Sequence, residues 1–85
     1  LQVVPPGPLP ERVEILARMR ELLGPAFAEP RRVQIHYLGQ RVEVEIILPS
    51  APAAEALEML QSRRKAWLAE HPHYRNIRVF VETAP

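Results

Sequence analysis

Residues 31–49 read RRVQIHYLGQRVEVEIILP, and apolar and polar side chains alternate along them on both sides of Gly39. Alternation with a period of two is typical of β-strands that bury one face. Gly39 and Gln40 fit a two-residue type II′ turn, because its first corner requires a positive φ that glycine adopts without a steric clash. The sequence therefore predicts a β-hairpin.

The turn also predicts the register of the hairpin, with Leu38 opposite Arg41 and Val33 opposite Ile46. Successive side chains of a strand point to opposite faces, so this register sorts the hairpin into two sets. We expect a core face of Val33, Ile35, Tyr37, Val42, Val44 and Ile46, and a second face of Gln34, His36, Leu38, Glu43, Glu45 and Ile47. A functional site is expected on the second face.

The composition excludes several classes of protein. The 85 residues include no cysteine, so neither disulfides nor a thiolate metal site can stabilise the small core. The net charge of +1 comes from interspersed acids and bases and predicts no binding to nucleic acid. No apolar run approaches the ~20 residues of a membrane span, so direct membrane insertion is not expected. No phosphate-binding glycine loop or nucleophile with a His–acid context is found, so no enzyme is predicted.

The rest of the chain predicts two helices and a third strand. Residues 9–23 and about 52–70 have helical patterns, whereas residues 76–83 alternate again. A right-handed crossover through the second helix would lay the third strand parallel to the second and beside the first, which predicts the sheet order 2-1-3. The fold class is α/β (α+β): an open-faced, ferredoxin-like two-layer sandwich of order α-β-β-α-β, with both helices on one face.

Residues 1–8 are rich in proline and are expected to form an extended linker, and residues 9–85 are expected to form one domain. The chain begins at Leu1 instead of methionine, which is expected of a fragment, of a processed product or of the ordered part of a longer chain.

Three apolar side chains, Leu38, Ile47 and Phe80, are predicted to point away from the helices. Such a cluster on a solvated sheet face favours an interface with a partner, and a second copy of the chain is the expected partner. Isolated exposed apolar residues are also common on monomers, and that alternative stays open.

His36 is predicted to lie opposite Glu43 and diagonal to Glu45. Imidazole and carboxylate groups bind zinc and related divalent ions, but a simple cross-strand pair of His36 with Glu43 is the favoured interpretation from spacing. His71 and His73 are interpreted as parts of a solvated loop, and Arg63, Arg64 and Lys65 as a solvated helix face.

The segments QIHYL, VEVEIILPSAPAAEAL and IRVFVETAP, in this order of elements, make the chain from about Leu9 to Pro85 similar to the cytosolic C-terminal domain of cation diffusion facilitator transporters. The resemblance implies a cytoplasmic domain that forms a homodimer and regulates an upstream transmembrane domain exporting zinc or iron. The alternative is a ferredoxin-like module that binds a small ligand or a protein and has no link to metal transport.

The resemblance also implies which residues could ligate a metal. His36 stands where the family often has a first-strand histidine, Glu45 where a second-strand histidine is common, and Glu82 in the place of a terminal aspartate. Leu57 stands where the family often has a histidine, and Phe80 replaces the histidine of the terminal pattern. A depleted site of His36, Glu45 and Glu82 is therefore implied, with zinc or another divalent transition metal bound weakly.

Overall fold

A computed structural model describes residues 7–82 of the chain. Its elements are α1 (Arg12–Leu23), β1 (Arg32–Leu38), β2 (Arg41–Leu48), α2 (Ala54–Glu70) and β3 (Tyr74–Val81). The order α-β-β-α-β and the open mixed sheet confirm the predicted fold class. Most of the predicted linker over residues 1–8, and residues 83–85 of the predicted domain, lie outside the described residues.

The hairpin forms with the predicted register, from Leu38 opposite Arg41 to Val33 opposite Ile46. Gly39 has a φ of 63°, and no residue other than glycine has a positive φ in the described part of the chain. A positive φ at Gly39 followed by a negative one at Gln40 is the pattern of a type II′ turn. Local turn chemistry therefore sets the alignment of β1 with β2.

The predicted strand order 2-1-3 is wrong, because the sheet order is β1-β2-β3 and β2 is the central strand. β3 runs parallel to β2, as expected, but it pairs directly with β2. The short loop after α2 brings the carbonyl oxygen of His73 to the amide of Val42 at 2.8 Å, which starts β3 on the free side of β2. The central position also gives β2 the best-covered core face, with Val42, Val44, Ile46 and Leu48 all buried.

One hydrophobic core lies between the helices and a single face of the sheet. It combines residues of α1, α2, β2 and β3: Ile15, Met19, Leu22, Leu23, Val42, Val44, Ile46, Leu48, Leu60, Tyr74 and Ile77. Partly buried side chains such as Phe27 and Trp67 pack around this core. Both helices therefore cover the same face, and the other face of the sheet stays open.

Two arginines of α2 attach this helix to its neighbours, although the sequence suggested a solvated face. The Arg63 guanidinium donates hydrogen bonds to the carbonyl oxygens of Leu22 (3.1 and 3.2 Å) and Leu23 (3.0 Å) at the end of α1. Arg64 donates to the side chain of Asn76 at 2.9 Å and to the carbonyl of Ile77 at 3.0 Å. Consecutive helical residues point in different directions, so one faces α1 and the other β3.

We expect Arg63→Ala to lower the free energy of unfolding by about 1–2 kcal/mol, because it removes charge-assisted bonds to α1 carbonyls that have no helical partner. The matched control is Lys65→Ala, which removes an exposed cation two residues away and should change stability by less than about 0.5 kcal/mol. Urea denaturation of the three proteins measures both effects. Equal stability of the two variants would contradict a structural role for Arg63.

Candidate functional site: the open sheet face

The sheet face that turns away from the helices is named the open sheet face. In the register of the three strands it carries Arg32, Gln34, His36 and Leu38 from β1, Arg41, Glu43, Glu45 and Ile47 from β2, and Arg78 and Phe80 from β3. The helices cover the other face, so this face is turned towards solvent. The predicted division of the hairpin into two faces is confirmed for β2, where every second residue is buried.

Two polar pairs cross the centre of the open sheet face. The Nε2 atom of His36 lies 2.9 Å from the Oε1 atom of Glu45, and the Nη2 atom of Arg78 lies 3.3 Å from the Oε1 atom of Glu43. The backbone register places His36 opposite Glu43 and Arg78 beside Glu45, so each pair is diagonal. Diagonal neighbours are farther apart than directly opposite ones and remain within reach of long side chains.

The favoured pairing of His36 with Glu43 is therefore replaced by a pairing with Glu45. Glu43 is instead bound by Arg78, which the predicted strand order had placed beside β1. The carboxylates lie on the central strand with side-chain exposures of 14% for Glu43 and 22% for Glu45. A partly buried carboxylate needs a hydrogen-bond partner, and each edge strand supplies one.

Glu82 occupies a different part of the sheet. Its amide donates to the carbonyl of Leu48 at 2.8 Å, and its Oε2 atom lies 3.2 Å from the Nε atom of Arg31. The pair of Arg31 and Glu82 thus joins the two outer strands near the end of β2. Arg31 was not predicted as a site residue, because its pairing with Glu82 joins residues far apart in sequence and no local pattern indicates it.

The three predicted metal ligands do not form one cluster in a single chain. His36 and Glu45 are in contact, whereas Glu82 is paired with a cation. Across residues 7–82, no group of three or more histidine, cysteine, aspartate or glutamate side chains is arranged to hold a metal ion. One subunit therefore supplies two adjacent donors, which do not complete the usual four-coordinate shell of zinc.

The three predicted interface residues divide into a pair and a distant third. Ile47 and Phe80 are direct neighbours in the register of β2 and β3, and Phe80 is 45% exposed. Leu38 is 42% exposed but lies beside Arg41 at the hairpin end of the sheet. The rows that contain His36 and Gln34 separate Leu38 from the pair. Ile47 and Phe80 thus form a small apolar patch at one end of the open sheet face.

The fold is that of cytosolic C-terminal domains of cation diffusion facilitator transporters. The MamM CTD in a manganese form matches with a TM-score of 0.58 and 13% identity, over 87% of this chain and all of that one. The cytosolic domain of a cation diffusion facilitator family protein matches with a TM-score of 0.57 and 22% identity, over 82% of this chain and 89% of that one. CzrB, described as a candidate zinc transporter, matches with a TM-score of 0.54 and 23% identity, over 91% of this chain and all of the other.

No protein-family model matches the chain, and no curated protein matches it significantly in sequence. The similarity therefore lies in the fold, at identities too low to carry over individual residues. Neither helix described for residues 7–82 has the length and apolar character that crossing a bilayer requires.

Proposed function

We propose that this chain is the cytosolic dimerisation and regulatory domain of a divalent-cation efflux transporter of the cation diffusion facilitator type. The observation that carries the proposal is the fold match, which spans the full length of two of the neighbouring domains and most of this chain. The proposed role is not catalytic. The upstream partner would be a transmembrane domain, and the domain would act on it from the cytoplasmic side.

The open sheet face supports the dimer. Its apolar patch of Ile47 and Phe80 lies next to polar pairs whose members come from all three strands. Apolar residues flanked by polar groups are the usual composition of a protein interface. In an isologous dimer the same surface of both subunits forms the interface, so one apolar patch per subunit is sufficient to build it.

The contact between His36 and Glu45 supports a residual metal site. Its imidazole nitrogen and carboxylate oxygen are ligand types that zinc and other divalent transition metals accept. A second subunit, water or a rearranged Glu82 would have to supply the remaining ligands. Because each subunit offers few donors, we expect a dissociation constant for zinc in the range of about 10 µM to 1 mM.

Zinc titration by calorimetry tests this site. The wild type should bind zinc weakly at neutral pH, and the binding should weaken as the pH falls because protons compete for the imidazole nitrogen. His36→Ala should abolish the heat of binding. His73→Ala is the control, since it removes an imidazole that lies outside the open sheet face.

Sedimentation with and without zinc tests whether zinc binding and dimer formation are linked. If ligands come from both subunits, zinc should increase the dimer fraction in sedimentation experiments, because a ligand of the dimer shifts the equilibrium towards it. Zinc heats that are equal for the wild type and His36→Ala, or absent up to about 1 mM, would reject the metal site. The domain would then act in dimerisation without binding a metal.

A further inference from the structure

A cleft lies between the start of α1 and the start of β3, and none of its lining residues belongs to the open sheet face. This α1–β3 cleft, of about 780 Å³, is bounded by the start of α1 and by the loop between α2 and β3. Much of its lining is apolar and comes from Pro8, Leu9, Pro10, Val13, Ala17 and Pro72. Val13 is 80% exposed although it is apolar, because the packed residues of α1 lie on another side of the helix. Pro10 is buried and Leu9 packs partly against the core, whereas Pro8, Val13, Ala17 and Pro72 are exposed, so these four form the uncovered apolar floor of the cleft.

Three carboxylates surround this floor. Glu11, Glu14 and Glu70 line the cleft and form no ion pair within residues 7–82. The only arginine of the lining, Arg18, is paired with Glu21 at 3.5 Å. The cleft therefore carries an excess of unpaired negative charge.

The position of Glu70 is unfavourable in the isolated chain. Glu70 is the last residue of α2, and the last turn of this helix contains no basic residue. The carbonyl groups at a helix C-terminus carry partial negative charge, so a carboxylate there is destabilising and a cation is stabilising. Glu11 and Glu14 lie at the start of α1, where the partial positive charge of the helix N-terminus stabilises a carboxylate. Glu70 is thus the carboxylate of the cleft that most needs a cationic partner.

Two polar atoms of the cleft wall are buried without a partner. The hydroxyl of Tyr74 and the Nδ1 atom of His73 form no hydrogen bond within the described residues, and Tyr74 is only 6% exposed. Burial, followed by the charge of Glu14, raises the pKa of Tyr74 to about 12, so its hydroxyl remains a neutral donor. An unpaired buried donor is costly, and a carbonyl group entering the cleft would remove that cost.

We propose that the α1–β3 cleft binds a peptide segment that combines apolar side chains with a lysine or arginine. The apolar side chains would cover Pro8, Val13 and Ala17, which are exposed, and the cation would lie beside Glu70. A backbone carbonyl of the segment would accept the hydrogen bond of Tyr74 once the side chains that cover this buried hydroxyl move aside. This site is independent of the metal site and of the dimer proposed above.

The imidazoles of the cleft do not favour a metal as the occupant. His71 donates from Nδ1 to the carbonyl of Trp67 at 2.8 Å, and its ring stacks on the Trp67 ring at 3.8 Å. His71 and His73 have no third donor arranged with them within residues 7–82. Zinc alone is nevertheless included in the experiment below, as the competing occupant.

Trp67 is the only tryptophan of the chain and reports on the cleft. It stacks on His71 and meets the ring of Tyr74 edge-on at 4.7 Å, so occupation of the cleft should change its fluorescence. The probe is a capped pentapeptide of alternating leucine and arginine, and the control peptide has glutamate in place of arginine. The basic peptide should bind and the acidic one should not, and added salt should weaken the binding.

Three lysine variants locate the binding site. Val13→Lys and Glu70→Lys place a cation in the cleft, and each should weaken binding of the basic peptide by about tenfold or more, which corresponds to about 1.4 kcal/mol. Met59→Lys makes a similar change at a residue that is 61% exposed on α2 and does not line the cleft, so it should bind like the wild type. All three positions are exposed, and the variants are expected to fold.

The variant Tyr74→Phe tests whether the Tyr74 hydroxyl contributes to peptide binding or to the stability of the fold. Loss of the unpaired hydroxyl should leave the free protein at least as stable as the wild type, while it weakens peptide binding severalfold. A loss of stability together with unchanged binding would show that the hydroxyl has a partner within the protein.

The proposal is overturned if basic and acidic peptides bind alike, if Val13→Lys and Glu70→Lys bind as well as Met59→Lys, or if no binding is detected up to about 1 mM peptide. A Trp67 response to zinc alone that disappears in His71→Ala would also overturn it, and would assign the cleft to a metal.

Discussion

Leu60→Ala is expected to lower the free energy of unfolding by about 3 kcal/mol, within the 2–5 kcal/mol typical of buried leucines. Leu60 is 0% exposed and is the one fully buried side chain described for α2. Truncation removes its contacts with the core and leaves a cavity that α2 cannot close, because Arg63 and Arg64 hold this helix to α1 and β3. A loss of this size is a large part of the stability of a small domain.

Met59→Ala is the matched control, since it truncates the preceding residue, which is 61% exposed. It should change stability by less than about 0.5 kcal/mol. Urea denaturation of both variants, with the slope of the transition as a check on two-state behaviour, gives the comparison. If Met59→Ala were the more damaging change, the assignment of the buried side of α2 would be wrong.

Phe80→Arg is expected to weaken the proposed dimer by about thirtyfold. Full burial of a phenylalanine contributes about 1.5–3 kcal/mol, and about half of Phe80 is still exposed, which leaves about 1 kcal/mol per subunit. The substitution occurs twice in an isologous dimer, so the total of about 2 kcal/mol corresponds to a factor of about thirty. Sedimentation equilibrium of the wild type and the variant measures this difference.

Met59→Arg is the control for this experiment, because it adds the same charge to an exposed apolar residue on the helix side. Its dissociation constant should equal that of the wild type. Equal weakening by both substitutions would place the interface elsewhere, and a wild-type protein that stays monomeric at about 500 µM would contradict the dimer itself. The melting transition of Phe80→Arg should be unchanged for the monomer, since Phe80 is not part of the core.

The predicted strand order was wrong, and the true order changes the contacts of the candidate site. Both β1 and β2 alternate with a period of two, and this period reports which side chains share a face but not which strand lies in the centre. The direct pairing of β3 with β2 places Arg78 next to the acidic residues of the central strand. With that cation bound to Glu43, His36 contacts Glu45 instead of the residue opposite it.

The hairpin, its turn, its register and the two faces of β2 could be predicted from the sequence alone, whereas Tyr37, predicted for the core face of β1, is 52% exposed. These features depend on neighbours along the chain, namely the positive φ of Gly39 and the alternation on either side of it. The folded structure was needed to show which strand is central, which side chain pairs with each carboxylate, and that Arg63 binds the carbonyls at the end of α1. Those contacts join residues far apart in sequence, and they depend on where the crossover through α2 lays β3, which no local pattern encodes.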